Sequence, residues 1–162
     1  MIGNAILEGL VYSVVLGAIV TISQLFNARL WINDYPKAIQ NIVPKRTKKE
    51  IIEKLSIGIP FLLIMFGYPI YSTIVLKETM STDYTFMAGF LNTFIICSAF
   101  NVFDLVVLDW FIFCYINPKY LILEGTEGLK EYKDYGFHLR AAFKGFMFTV
   151  IISGITAVLT II

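Results

Sequence analysis

The sequence is poor in charge. Asp, Glu, Lys and Arg make up 15% of the chain, against roughly 25% in soluble domains, and hydrophobic residues make up 57%. The net charge of +1 provides no overall basic field, so we expect no nucleic-acid partner. No repeat or low-complexity tract interrupts the 162 residues, a length that fits one domain. The composition therefore predicts a single membrane domain, residues 1–162.

Cysteine and histidine are also scarce. Cys97 and Cys114 fall on one predicted helix, about 25 Å apart at a rise of ~1.5 Å per residue, which is too far for a disulfide. The single histidine, His138, excludes an intrachain pair of histidine haem ligands, and no metal-ligand spacing is present. Phosphate-binding loops and nucleophile elbows are lacking as well. We therefore expect no metal and no cofactor, and no motif decides whether the protein is an enzyme.

The first ten residues, MIGNAILEGL, contain no Lys or Arg, so we predict a retained first span and no cleaved signal peptide. A helix needs about 20 apolar residues to cross a bilayer. Four runs meet that requirement: 5–26, 55–76, 84–116 and 143–162. The predicted fold class is an all-α integral membrane protein with four transmembrane helices in a bundle.

Lys and Arg are distributed unevenly between the predicted loops. Segment 29–54 holds seven of them, segment 117–144 holds five, and Lys77 is the remaining one. Because basic loops stay on the cytoplasmic side, we predict that both long loops are cytoplasmic and both termini face out. The predicted location is the cell membrane.

A cytoplasmic amphipathic helix is predicted before the fourth span. Gly125 and Gly128 indicate a turn, and Thr126 is placed to cap a helix that follows it. Apolar side chains then recur at helical spacing, with polar ones between them, as in a helix that lies at the membrane interface. The residues at that spacing are Leu129, Tyr132, Gly136, Leu139 and Phe143.

The second span contains Pro60 and Pro69, each preceded two residues earlier by glycine. Each proline removes one backbone hydrogen bond and bends the helix. One interpretation is a bend that serves only packing. The other is a bend that opens a cavity beside the third span.

The third span carries Asp104 and Asp109. An ionised side chain in a bilayer costs roughly 2.5–3.5 kcal/mol on insertion scales, so such residues tend to be paired or functional. The predicted topology collects polar residues at the cytoplasmic end of the first and third spans and in the second long loop. These candidate ligand-binding residues are Gln24, Asn27, Arg29, Asn101, Asp104, Asp109, Asp134 and His138.

Two pairings within this set are predicted. Arg29 is the expected counter-ion of Asp109 or Asp104; the alternative is that these groups only fix helix packing. His138 lies four residues after Asp134. That spacing fits an oriented base, and it fits a surface pair on an amphipathic helix better.

The strings WINDYPKAIQ, NVFDLVVLDW and GTEGLKEYKDYGFHLR resemble those of small prokaryotic four-span membrane proteins of unknown function. The resemblance covers most of the chain and implies no activity, cofactor or catalytic residue.

Three functions fit the sequence. The first is a cytoplasm-facing polar pocket in the membrane that binds or passes a small solute, an ion or a lipid headgroup. The second is an accessory subunit of a membrane complex. The third is a membrane-embedded enzyme that acts on a lipid-linked substrate, with Asp109, Asp104 or His138 as the base and with Arg29 and the basic loop holding a phosphate. The expected partners are membrane lipid and either another protein or a second copy of the chain.

Overall fold

The computed structural model describes residues 1–162, which form helices and turns without a β-strand. Four helices are long and apolar enough to cross a membrane, and the four runs predicted from the sequence overlap them, extending past the helices by two residues at the start of the third and by one at the end of the fourth. One continues without a break from α-helix into π-helix, here named π1. The helices are α1 (Ile2–Asn27), α2 (Lys37–Ile42), α3 (Lys48–Met80), α4 (Phe86–Phe103), π1 (Asp104–Ile116) and α5 (Tyr135–Ile161).

Short polar side chains, Thr47, Thr85 and Asp134, cap the first turns of three of the long helices. Thr47 accepts a hydrogen bond from the Glu50 N–H, and the Glu50 carboxylate accepts one from the Thr47 N–H, which forms a capping box at α3. Thr85 caps α4 through the Ala88 N–H. These caps satisfy N–H groups that the first turn of a helix leaves without partners.

Helix α4 lies between the other long helices and contacts α1, α3 and α5. Gly9 of α1 packs directly on Ile96 and Ala99, and any side chain there would collide with Ala99. Such small residues let two helices approach closely in a membrane. On another side of α4, the buried Asn92 amide donates to the hydroxyls of Ser72 and Thr73 at 3.0 and 3.1 Å, which joins α4 to α3.

Helix α3 runs through Pro60 and Pro69 without a break. Pro69 has no N–H, so the carbonyl of Met65, four residues back, loses its helical donor. The Tyr12 hydroxyl of α1 donates to this carbonyl at 2.7 Å. A neighbouring helix thus supplies the hydrogen bond that the proline removes.

The two long connections, residues 28–47 and 117–134, meet at one end of the helices, here called the loop end. Tyr35 donates from its hydroxyl to the Leu121 carbonyl at 3.0 Å and packs edge-on against Tyr132. Burial raises the pKa of Tyr35, and the nearby Tyr132 hydroxyl raises it further, so the phenol stays neutral. Buried apolar side chains of the two connections and of π1 form a compact core, here called the loop-end core: Ala28, Tyr35, Ile39, Phe113, Cys114, Leu121, Leu123 and Tyr132.

The prediction of a separate amphipathic helix before the fourth span is wrong. Only a short 3-10 turn, Lys130–Lys133, precedes α5, which then begins at Tyr135 and runs unbroken to Ile161. Thr126 caps no helix; its buried hydroxyl contacts the Tyr132 hydroxyl at 2.6 Å. The apolar residues read as one face of a helix belong instead to two structures, the loop-end core and the first turns of α5.

Candidate functional site

The two aspartates of the third long helix lie in the π-helical part. Residues five apart in an α-helix are separated by about 140° around the axis. In π1 the N–H groups bond to carbonyls five residues back, as the Asn117 N–H does to Ile112 at 2.9 Å, so residues five apart come close to one face. Asp104 and Asp109 therefore border the same space. Asn117, in a left-handed conformation, ends the helix where the sequence predicts its end.

Asp109 pairs with His138 of α5. The His138 Nδ1 lies 3.0 Å from the Asp109 Oδ1, and the histidine side chain is only 2% exposed. The rings of Phe113 and Phe137 pack against the imidazole. This contact fixes the ring orientation, as carboxylate–histidine contacts do at catalytic and metal sites. The Nε2 atom is buried and has no hydrogen-bond partner.

The predicted surface pair of His138 and Asp134 is therefore wrong. Asp134 instead caps α5 by accepting from the Phe137 N–H at 2.8 Å, and it lies 3.9 Å from Arg140. His138 is the fourth residue of α5, and at this position in the helix its side chain faces inward and contacts Asp109 of π1. The periodicity of segment 129–143 had placed it on a solvated face.

A cavity of about 310 Å³, here called the loop-end cavity, lies between α1, α3, π1 and α5. Its lining includes the exposed Asn33 and Asp34, so it reaches the protein surface at the loop end. Part of its wall is aromatic and includes Trp31, Phe61 and Phe113. Its polar lining residues are Gln24, Asn33, Asp34, Asp104, Asp109 and His138.

A second cavity of about 310 Å³, here called the inner cavity, adjoins the first. The two share Met65, Phe100, Asp104, Asp109 and Ala141 as lining residues. The inner cavity extends along α4 and α5 and is bordered by side chains that are apolar or aromatic apart from a few polar groups. Its other lining residues are Tyr12, Phe66, Cys97, Asn101, Ala142, Gly145, Phe148, Thr149 and Ile152.

Asp104 stands where the two cavities meet. It takes part in none of the four ion pairs of the chain, and no side-chain hydrogen bond reaches its carboxylate. Its side chain is partly exposed, to the cavities that it lines. A carboxylate within an apolar helix and without a partner is costly, which is typical of a site kept for binding or chemistry.

Arg29 is not the counter-ion of either aspartate, and that prediction is wrong. Its Nε donates to Glu50 at 2.6 Å, and its Nη2 reaches the carbonyls of Pro44 and Lys45 at 3.1 and 3.3 Å. The turn after α1 directs Arg29 toward the start of α3 and away from π1. Arg29 lines neither cavity.

The remaining predicted site residues divide between the cavities and the helix ends. Gln24 lines the loop-end cavity, and Asn101 lines the inner one, where its amide donates to the Ala142 carbonyl at 3.2 Å. Asn27 lines neither cavity. Its side chain accepts from the Arg29 N–H at 3.1 Å and caps the turn after α1.

Sequence reasoning missed several residues of the cavity linings, among them Asp34, Trp31 and Tyr12. Asp34 lies in segment 29–54, which the sequence predicts as a loop. Trp31, in the same segment, donates to Ser23 at 2.8 Å and lines the loop-end cavity. Tyr12, within the first predicted span, lines the inner cavity. Asp34 lies in the long polar connection, and that position alone could have marked it as a candidate.

No set of three His, Cys, Asp or Glu side chains lies close enough together to hold a metal ion. Comparisons with protein families, curated proteins and solved structures found no match.

Proposed function

We propose that this chain is a multi-pass membrane protein that binds a small solute in the joined loop-end and inner cavities. Asp104 and the Asp109–His138 pair are the groups that contact the solute. The observation that carries the proposal is Asp104, a carboxylate without a partner at the junction of two cavities. The orientation inferred from Lys and Arg would open the site to the cytoplasm.

An accessory subunit would be favoured by a dry interior with every polar group paired. The interior instead contains two adjoining cavities and an unpaired Asp104, which disfavours the accessory-subunit alternative. Polar groups that serve packing alone do occur in this chain, as with Asn92 between α3 and α4. They lie apart from the aspartates.

An enzyme is the second candidate, and the Asp109–His138 contact favours it because a carboxylate-oriented imidazole is a common general base. The phosphate-binding role first assigned to Arg29 has less support, since Glu50 and two carbonyls already occupy its guanidinium. Conversion of a solute supplied to the purified protein would favour the enzyme; retention of the unchanged solute favours binding or passage.

The test is to extract small molecules from the purified protein and identify them by mass spectrometry. Wild type is compared with Asp104→Asn and with Glu53→Gln, a matched loss of a carboxylate that contacts Lys49 at 3.7 Å away from the cavities. We expect a compound that is retained by wild type and Glu53→Gln and depleted by Asp104→Asn. Equal amounts in all three proteins, or none in wild type, would contradict the proposal.

A further inference from the structure

We infer that the solute carries an ammonium group on a short apolar body, with the ammonium at Asp104 and the apolar part in the inner cavity. This inference rests on the proposed function and adds the chemical class of the ligand. Four features of the cavities carry it: their charge, their hydrogen-bonding character, their aromatic walls and the position of the inner cavity.

The charge of the lining has one sign. Asp34, Asp104 and Asp109 border the loop-end cavity, and no Lys or Arg borders either cavity. Arg29, after α1, is held by Glu50, and Arg46, which donates to the Asn33 Oδ1 at 3.4 Å, lines neither cavity. Apart from His138, the ionisable side chains of the loop-end cavity are all carboxyl groups. Such a site favours a cation, which stabilises their ionised form, and disfavours an anionic ligand such as a phosphate or a fatty acid.

The hydrogen-bonding groups at the junction are acceptors. The Asp104 carboxylate has no donor from the protein, and Asp109 receives only the His138 contact. When Nδ1 of the neutral imidazole carries the proton toward Asp109, the buried Nε2 is left as an acceptor without a partner. An ammonium group supplies N–H donors for such acceptors, whereas a metal ion would need ligands that converge more closely than these do.

The remaining lining suits the rest of the ligand. Phe100 borders both cavities, and aromatic faces attract cations within about 6 Å. Phe66, Phe148 and Ile152 also line the inner cavity, and Phe148 is 59% exposed. An apolar chain lying there would extend from the ammonium site toward lipid. The same chemistry belongs to a free hydrophobic amine and to the headgroup of an aminophospholipid.

The experiment uses the full chain in nanodiscs of phosphatidylglycerol, which has no ammonium group. Hexylammonium, hexan-1-ol and hexanoate are added separately, and thermal unfolding is compared between wild type, Asp104→Asn and the control Glu53→Gln. We expect only hexylammonium, at ten times its Kd, to raise the midpoint of wild type and Glu53→Gln, by about 3–5 °C. The rise should be lost in Asp104→Asn, and in His138→Gln if Asp104→Asn does not fold.

A second arm separates the two sources of the ammonium group. The second set of nanodiscs also contains phosphatidylethanolamine. If the ligand is this lipid, its presence should raise the thermal unfolding midpoint of wild type relative to that of Asp104→Asn. Added hexylammonium should then raise the wild-type midpoint no further. A free amine would still show its own effect. Either result supports an ammonium ligand.

Equal or larger stabilisation by hexan-1-ol or hexanoate would overturn the inference, as would no dependence on Asp104 or His138. The proposed function would survive that outcome if mass spectrometry still found a compound retained through Asp104. If neither experiment shows a ligand, both the inference and the proposed function are wrong.

Discussion

The His138 Nδ1 lies 3.0 Å from the Asp109 Oδ1 and joins the start of α5 to π1 at the edge of the loop-end cavity. Removing either partner should cost about 1.5–3 kcal/mol, a typical value for a hydrogen bond to a charged group. We predict that His138→Gln costs much less in an Asp109→Asn background than alone, because the contact is then already lost. Thermal unfolding of the two single variants and the double variant in detergent measures the coupling energy. Additive losses of stability would show that the two side chains act independently.

Asp104→Asn should have the opposite effect on stability. The Asp104 carboxylate is uncompensated, so a neutral amide of similar shape relieves its desolvation without breaking a contact. We predict a gain of about 1–2 kcal/mol, within the range typical of stabilising substitutions, together with loss of the co-purifying solute. Destabilisation by Asp104→Asn would mean that the carboxylate has a structural partner within the folded chain.

The Tyr12 hydroxyl bond to the Met65 carbonyl depends on Pro69, which leaves that carbonyl without a helical donor. Tyr12→Phe should cost about 1 kcal/mol in the wild-type chain. In a Pro69→Ala background the new N–H can bond to Met65, so Tyr12→Phe should cost little. Pro60→Ala is the matched control, since its helical acceptor is Ser56 and the cost of Tyr12→Phe should stay unchanged there.

Much of the fold and part of the site follow from the sequence alone. The long apolar runs predict the four membrane-length helices. The predicted topology places Gln24, Asp104, Asp109 and His138 at the same end of these helices, and all four line the loop-end cavity. The partner of His138 could not be predicted, because it depends on where α5 begins. Nor does any local pattern reveal a π-helix of 13 residues.

The two long connections account for the remaining wrong predictions, those of the amphipathic helix and of the Arg29 counter-ion. Periodicity describes one element at a time, whereas the loop-end core is built from contacts between distant segments, such as Tyr35 with Leu121. The same long-range folding carries Arg29 to Glu50, a partner 21 residues away that no helical spacing predicts.

The Arg29–Glu50 contact yields its own prediction. Glu50 also closes the capping box of α3 and its side chain is only 12% exposed, so the pair should contribute more than a typical surface ion pair. We predict a coupling energy of about 1.5–3 kcal/mol between Arg29→Gln and Glu50→Gln. Arg29→Gln and Asp109→Asn should be additive in the same unfolding assay; strong coupling between those two would restore Arg29 as the counter-ion of the aspartate.

The most direct test of the central claim is thiol accessibility at Ala141, which lines both cavities. Ala141→Cys is placed in a Cys97→Ala, Cys114→Ala background, with Leu159→Cys on the apolar surface of α5 as the control. We predict that a cationic methanethiosulfonate added from the loop side modifies residue 141 faster than an anionic one, about tenfold or more, as expected for steering by carboxylates, and leaves residue 159 unmodified. No modification of residue 141 from the loop side, or faster modification by the anionic reagent, would contradict an acidic cavity open to solutes.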